Sequence, residues 1–182
     1  MDAEQLFKEL ADLGVCASGR RLWRQSSRDE DMIIRVWKRW PEYWVEHSDK
    51  ALDIVRRYFS STEDLHLLED NCIYLDRNMS TETDSTDAVF VVGDSDIDIK
   101  VNDWAVVKIY CFNAAKLRVS CGLHAYVNIE CYDNSHVSID ANKGRCIVYA
   151  YDDSEVNECG NTASVIRKEL KRGEVFNGKE IL

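Results

Sequence analysis

The fold of this chain is decided by residues 97–151, which read, in tens, IDIKVNDWAV VKIYCFNAAK LRVSCGLHAY VNIECYDNSH VSIDANKGRC IVYAY. Each ten-residue unit is apolar at its first, third and fifth positions, which is the alternation of a strand with one buried face. The three columns are Ile97, Val107, Leu117, Val127, Val137 and Ile147; Ile99, Ile109, Val119, Ile129, Ile139 and Tyr149; and Val101, Cys111, Cys121, Cys131, Ala141 and Tyr151. The other positions are rich in Asn, Asp and Gly, which favour tight turns.

This repeat predicts a β-solenoid of about six strands. A single unit cannot bury its apolar face alone, so neighbouring units must stack and complete the core. We expect two strands per coil, which would give two facing parallel sheets and about three full coils. A three-sided coil is the alternative that the spacing leaves open.

The first 71 residues predict a helical unit, so the fold class is α+β. Leu6 and Leu10 share one face of a first helix, which Gly14 can end. Further helix starts are indicated at Ser27, Pro41, Ser48 and Ser61. Because the open ends of a solenoid invite aggregation, we expect this helical unit to cap the N-terminal end of the repeats.

The pattern predicts four segments. Residues 1–71 form the helical unit, residues 72–92 contain initial strands with an exposed polar loop over 78–87, and residues 93–160 form the solenoid. Residues 161–182 are a closing strand or a basic tail, and a short basic helix over 163–170 is the third alternative.

Composition narrows the classes of partner. The chain has 23 basic and 33 acidic residues and a formal net charge of −10, which argues against direct binding to nucleic acid or to anionic membranes. Its apolar runs are far shorter than a membrane span, and its N-terminus is acidic and amphipathic, unlike a signal peptide. Seven cysteines without CxxC spacing do not suggest a disulfide framework. We therefore expect a cytoplasmic protein.

The decad columns, with Ala or Ser before most strands and Asn, Asp or Gly in the turns, resemble uncharacterised decad-repeat β-solenoid proteins of bacterial prophages and mobile elements. The resemblance extends to a helical segment that precedes the repeats. It implies the solenoid fold and a phage or mobile-element setting. It supplies no catalytic motif.

The candidate binding residues lie in the helical unit, where tryptophans alternate with a local basic cluster. They are Arg20, Arg21, Trp23, Arg24, Trp40 and Trp44. Tryptophan and arginine dominate the hot spots of protein interfaces, so an exposed subset would form a partner-binding surface. The alternative for each tryptophan is packing in the core of the helical unit.

No motif for catalysis, a cofactor or a metal is present in the sequence. There is no phosphate loop, dinucleotide fingerprint, serine elbow or zinc-type spacing. Cys111, Cys121 and Cys131 come together in the solenoid, but buried cysteines usually act as small hydrophobic residues. His124 and His136 are expected on the surface. We therefore predict a protein that is not an enzyme.

Three functions fit these observations. The favoured one is a protein-binding module on a rigid solenoid scaffold. The second is an acidic mimic that inhibits a nucleic-acid-binding or host defence protein, and it needs carboxylates in rows. The third is a structural protein whose solenoids stack through their ends or edges into a homo-oligomer.

Overall fold

The computed structural model of the chain describes residues 3–14, 21, 34, 38–39, 41–84, 86–159 and 162–170. The chain divides after Asn71 into a helical unit and a β unit, Cys72–Leu170. Ser27, the predicted start of the second helix, lies outside the described residues; farther along this segment, Ile34, Lys38 and Arg39 are described and helical.

Three helices of the helical unit are described: α1 (Ala3–Asp12), α2 (Pro41–Tyr58) and α3 (Thr62–Asp70). Leu6 and Leu10 of α1 are buried, as the apolar spacing predicts. The Tyr43 hydroxyl of α2 donates a 2.6 Å hydrogen bond to the Leu10 carbonyl oxygen. Tyr58 donates to the Glu9 carboxylate over 2.7 Å, so α1 and α2 are joined at two points.

Helices begin at or next to Pro41, Ser48 and Ser61, as predicted. Pro41 begins α2, which kinks at His47, where the backbone angles are non-helical. The segment after the kink runs to Tyr58 and corresponds to the helix that the sequence predicts to start at Ser48. Ser61 caps α3 in a capping box with Asp64, as predicted.

The β unit is a two-sided parallel β-solenoid, which confirms the predicted fold class. Its described residues form strands β1 (Ile73–Leu75), β2 (Asn78–Thr83), β3 (Val89–Val92), β4 (Asp96–Val101), β5 (Val106–Cys111), β6 (Lys116–Cys121), β7 (Tyr126–Cys131), β8 (His136–Asp140), β9 (Arg145–Ala150), β10 (Glu155–Cys159) and β11 (Ala163–Arg167). The odd-numbered strands form one sheet and the even-numbered strands the other. We call them the odd sheet and the even sheet. The solenoid therefore has about five coils, more than the three expected.

The prediction of an exposed polar loop over residues 78–87 was wrong for its first half. Asn78–Thr83 forms β2, which pairs in parallel with β4. Met79 packs partly buried against the solenoid core, and Thr83 is buried. A polar segment can form this outer strand because its side chains alternate between the two faces and β4 supplies its backbone hydrogen bonds.

The last coil departs from the ten-residue spacing. Val106 pairs with Tyr126, twenty positions later, whereas Tyr126 pairs with Arg145, nineteen positions later. The turn before β9 is thus one residue shorter. Because side chains alternate along a strand, this shift reverses which of them face inward.

The inward residues of β9 are therefore Cys146, Val148 and Ala150, all buried. The predicted inward residues, Ile147, Tyr149 and Tyr151, are only partly buried. Their placement in the inward columns was wrong, although the columns of the preceding five units are confirmed.

Of the predicted alternatives for the C-terminal segment, residues 163–167 form a strand. β11 pairs in parallel with β9, and Ala163 and Val165 pack partly buried against the core. Residues 171–182 lie outside the described part of the chain.

Small residues line the inner side of the turns. Ser95, Ala115, Ser135 and Ser154 occupy equivalent places before the even strands and are buried. Ala105, Ala125 and Gly144 do the same before the odd strands. These small side chains allow the two sheets to approach where the chain turns from one to the other.

Side chains also link the coils at the turns that follow the odd strands. Asp76, Asn113, Asp133 and Asp152 each have a left-handed backbone there. The Asn113 side chain accepts a hydrogen bond from the Gly93 amide, the Asp133 carboxylate accepts one from the Asn113 amide, and Asp152 accepts one from Asp133. We call this row the Asx ladder.

No described helix is long and apolar enough to cross a membrane.

Candidate protein-binding surface

The predicted binding residues of the helical unit are not brought together by the described structure. Arg20, Trp23, Arg24 and Trp40 lie outside the described residues. Arg21 is exposed. Trp44 is 1% exposed, so its side chain packs in the interior, and its assignment to an exposed binding surface was wrong.

A different apolar surface lies on the solenoid. The large hydrophobic side chains that are exposed among the described residues are Trp104, Val106, Leu123, Tyr126 and Ile166. The first four lie on two neighbouring coils, at the turn from the even sheet to the odd sheet and the strand start that follows it. We call these four residues the Trp104 corner. Trp104 is the most exposed of them, at 71%.

Backbone pairing fixes the relative positions of these side chains. Val106 begins β5 and lies directly opposite Tyr126, which begins β7. In the turns before these strands, the Trp104 amide donates to the Leu123 carbonyl oxygen over 2.9 Å. The Asp103 carboxylate accepts a 2.7 Å hydrogen bond from the Leu123 amide. The corner is therefore held by hydrogen bonds between two stacked turns.

Trp104 has an unusual backbone conformation for a bulky residue. Its φ of 64° lies in the left-handed region, which costs an L-amino acid with a large side chain about 1–2 kcal/mol. Its indole lies against the ring of His124, with the ring centroids 4.3 Å apart and the ring planes tilted by 37°, and His124 itself has a left-handed φ of 58°. The left-handed conformation recurs at other turns of the solenoid, such as Asn113 and Asp133, so the turn imposes it, and Trp104 is a residue type that fits it poorly.

Basic side chains border the corner on the next coil. Arg145 pairs with Tyr126 in the strand register, and the His124 amide donates to the Lys143 carbonyl oxygen. Lys143 and Arg145 are both exposed, and we call them the basic rim. Within the described ranges, Lys143 and Arg145 form no salt bridge.

The outer face of the even sheet has a different character. Lys100 pairs with Glu82 over 2.8 Å, and Arg118 bridges the carboxylates of Asp96 and Asp98. At the other end of the sheet, His136 lies 3.3 Å from Glu155. A shallow depression follows this face between β2 and β6. Acidic and basic side chains on neighbouring strands of this sheet therefore form ion pairs with one another.

The described residues contain no group of three His, Cys, Asp or Glu side chains arranged to hold a metal ion. Cys111, Cys121, Cys131 and Cys146 are buried and free. Burial raises the pKa of the Cys111 and Cys131 thiols above their ordinary value, and a hydrogen bond with Cys121 together with burial raises the pKa of Cys146. The Cys111, Cys131 and Cys146 thiols therefore stay protonated at neutral pH, whereas the hydrogen bond with Cys146 lowers the pKa of Cys121.

One residue in the sequence points to the Trp104 corner, although the apolar periodicity does not single it out. Trp104 stands in a turn segment, between Asp103 and Ala105, where the other coils have Asn, Asp, Gly or His. A tryptophan at an outward turn position has no place in the core of the repeat, so its presence there needs another explanation.

A comparison of the chain with models of known protein families found no match, and comparisons with curated proteins and with solved structures found none either.

Proposed function

We propose that this protein is a non-catalytic protein-binding module whose rigid solenoid presents the Trp104 corner to a partner. The observation that carries the proposal is the clustering of four exposed apolar side chains on two adjacent coils. Soluble proteins rarely leave such groups together unless they bind something. Tryptophan and tyrosine are also the residues most enriched in interface hot spots.

The solenoid supports this role through its rigidity. Hydrogen bonds between stacked turns and strands hold the corner, so little conformational entropy is lost when a partner binds. The proposed surface lies on the repeats, whereas the residues that the sequence predicts to bind a partner lie in the helical unit.

The two other functions receive less support. Acidic mimicry needs carboxylates in rows, but on the even sheet Lys100 pairs with Glu82, and Arg118 pairs with Asp96 and Asp98. In the Asx ladder, the carboxylates of Asp133 and Asp152 accept backbone hydrogen bonds. Stacking into a homo-oligomer would use the solenoid ends, which leaves the exposure of the Trp104 corner unexplained.

The proposal includes a cytoplasmic setting in a bacterium that carries a phage or mobile element. The free buried cysteines fit a reducing compartment. The phage or mobile-element setting rests on the resemblance of the decad repeats.

Site-specific photocrosslinking tests the binding role. A photoreactive p-benzoylphenylalanine would replace Leu123 in the corner, or Ile166 on β11 as a matched exposed control, in the full chain expressed in bacterial cells. We expect a discrete crosslinked partner from position 123, none from position 166, and loss of the crosslink when Trp104→Asn is added. Equal crosslinking from both positions, or none from position 123, would contradict the proposal.

A further inference from the structure

We infer that the Trp104 corner and its basic rim bind an acidic peptide segment that carries an apolar side chain about three residues from a carboxylate. This inference rests on the proposed function and names the chemistry of the partner. It depends on three features: an exposed apolar group, unpaired cations beside it, and the fixed distance between the two.

The apolar half of the site lies on the coil of β5 and the coil of β7. Trp104 and Val106 are 71% and 61% exposed, and the indole is held against His124. A partner side chain that binds here would contact both the aromatic ring of Trp104 and the aliphatic side chain of Val106. The burial of one large apolar side chain is enough to anchor a short segment.

The cationic half lies on the coil of β9. Lys143 and Arg145 are exposed and form no salt bridge within the described part of the chain, unlike Lys100 and Arg118 on the even sheet. In a chain with a formal net charge of −10, such cations beside an apolar patch select an anionic partner locally. An arginine can also bind a carboxylate in bidentate geometry.

The spacing of the coils relates the two halves. Strands in one sheet lie 4.7–4.9 Å apart, so β5 and β9, separated by β7, are about 10 Å apart. An extended peptide advances about 3.3 Å per residue, so an apolar residue and a carboxylate three positions apart span this distance. The site therefore favours an extended segment with a carboxylate about three residues from an apolar anchor.

Two other occupants fit less well. Single-stranded nucleic acid would stack on Trp104, but the net charge of −10 repels a polyanion along the rest of the surface. A second copy of the chain would have to offer free carboxylates beside apolar groups. On the even sheet, the carboxylates of Glu82, Asp96 and Asp98 are already paired.

A peptide-display selection on the immobilised full chain tests the inference, with counter-selection on Trp104→Asn. We expect enriched peptides to combine aromatic or aliphatic residues with Asp or Glu at about the predicted spacing. Fluorescein-labelled copies of these peptides should lose about tenfold or more in affinity on Trp104→Asn, and also on the double substitution Lys143→Glu and Arg145→Glu. Fluorescence anisotropy at two salt concentrations would measure both effects.

The matched charge control is Lys116→Glu, compared with the single substitution Arg145→Glu. Lys116 and Arg145 are both exposed and both begin a strand, but Lys116 lies on the even sheet. Lys116→Glu should leave peptide affinity within about twofold of the unsubstituted protein. Circular dichroism melting would verify that every variant is folded, and Trp104→Asn suits its left-handed position because asparagine adopts that conformation readily.

Four outcomes would overturn the inference. Peptides that depend on Trp104 but show no acidic bias would leave the proposed function intact and reject the acidic partner. A selection that yields no Trp104-dependent peptide would reject the linear-peptide partner, and the photocrosslinking experiment would then decide the proposed function separately. Tighter binding of a labelled 12-nucleotide single-stranded RNA, or self-association that Trp104→Asn abolishes in analytical ultracentrifugation, would replace the peptide with another occupant.

Discussion

Gly144 permits the short turn before β9, and we expect a larger residue there to destabilise the solenoid. A Cβ atom at this position would lie 2.8 Å from the carbonyl oxygens of Ala125 and Gly122 and 2.9 Å from the Cβ of Cys121. Two of these neighbours are backbone atoms that cannot move aside without disturbing the adjacent coil. Gly144→Ala should therefore lower the free energy of unfolding by about 1–3 kcal/mol, measured by urea denaturation.

The control for this prediction is Lys143→Ala in the same turn. Its exposed side chain makes no described salt bridge, so the substitution should change stability by less than about 0.5 kcal/mol. Equal effects of the two substitutions would contradict the argument from close approach.

We expect Trp104 to lower the free energy of unfolding of this protein. Its left-handed backbone conformation is unfavourable for tryptophan and tolerable for asparagine, and its mostly exposed indole gains little from burial. The ring contact with His124 offsets part of the strain. Trp104→Asn should therefore leave the unfolding free energy unchanged or raise it by about 0.5 kcal/mol in thermal or urea melts. A loss above about 1 kcal/mol would show that Trp104 serves the fold.

The inward columns of the first five repeat units can be predicted from the sequence, but the Trp104 corner cannot. Ile97, Ile109 and Val119 are apolar because they face the core, and the alternation alone shows this. The exposure of Trp104 depends on how its turn is bent and on which turn lies beside it in the next coil. Trp44 could not be assigned from sequence either, because a helical tryptophan serves equally well in a core or at an interface.

The register of β9 is a property of the whole strand, and truncation of two neighbouring residues tests it. Val148 faces the core and is fully buried, whereas Ile147, its neighbour, is only partly buried. Val148→Ala should cost about 2 kcal/mol, and Ile147→Ala less than about 1 kcal/mol, in the free energy of unfolding measured by urea denaturation. The uninterrupted ten-residue spacing predicts the opposite order, so a reversed result would restore it.

The misassigned elements share a physical cause. β2 is rich in Ser, Thr and Glu, and its strand conformation comes from parallel pairing with β4 rather than from its own composition. The shift at β9 comes from a turn that is one residue shorter, which the apolar spacing conceals because Ile147, Val148 and Tyr149 are consecutive apolar residues. Local pattern thus predicts strands well in the middle of the solenoid and poorly toward its ends.

At the scale of the whole molecule, the buried thiols report on the opening of the solenoid. Cys111, Cys131 and Cys146 are buried in the core, and burial helps to keep their pKa values high, so these three side chains present no reactive thiolate to solvent at neutral pH. We expect them to react with a thiol reagent such as DTNB only as fast as the folded protein opens, while the denatured chain reacts at once. Peptide mapping after alkylation would identify each modified cysteine. Rapid modification of these three cysteines in the folded protein would contradict the buried arrangement.

The Asx ladder has a consequence for mechanical force. Each coil contacts chiefly its neighbours, so tension applied to the two ends of the solenoid acts on the coil at an end before it reaches the interior. Along the turns after the odd strands, the side-chain hydrogen bonds of Asn113, Asp133 and Asp152 add a second row of links parallel to the backbone ladder. A coil can detach only when both rows of hydrogen bonds break together. Under tension, the solenoid should therefore extend in discrete steps, one coil at a time.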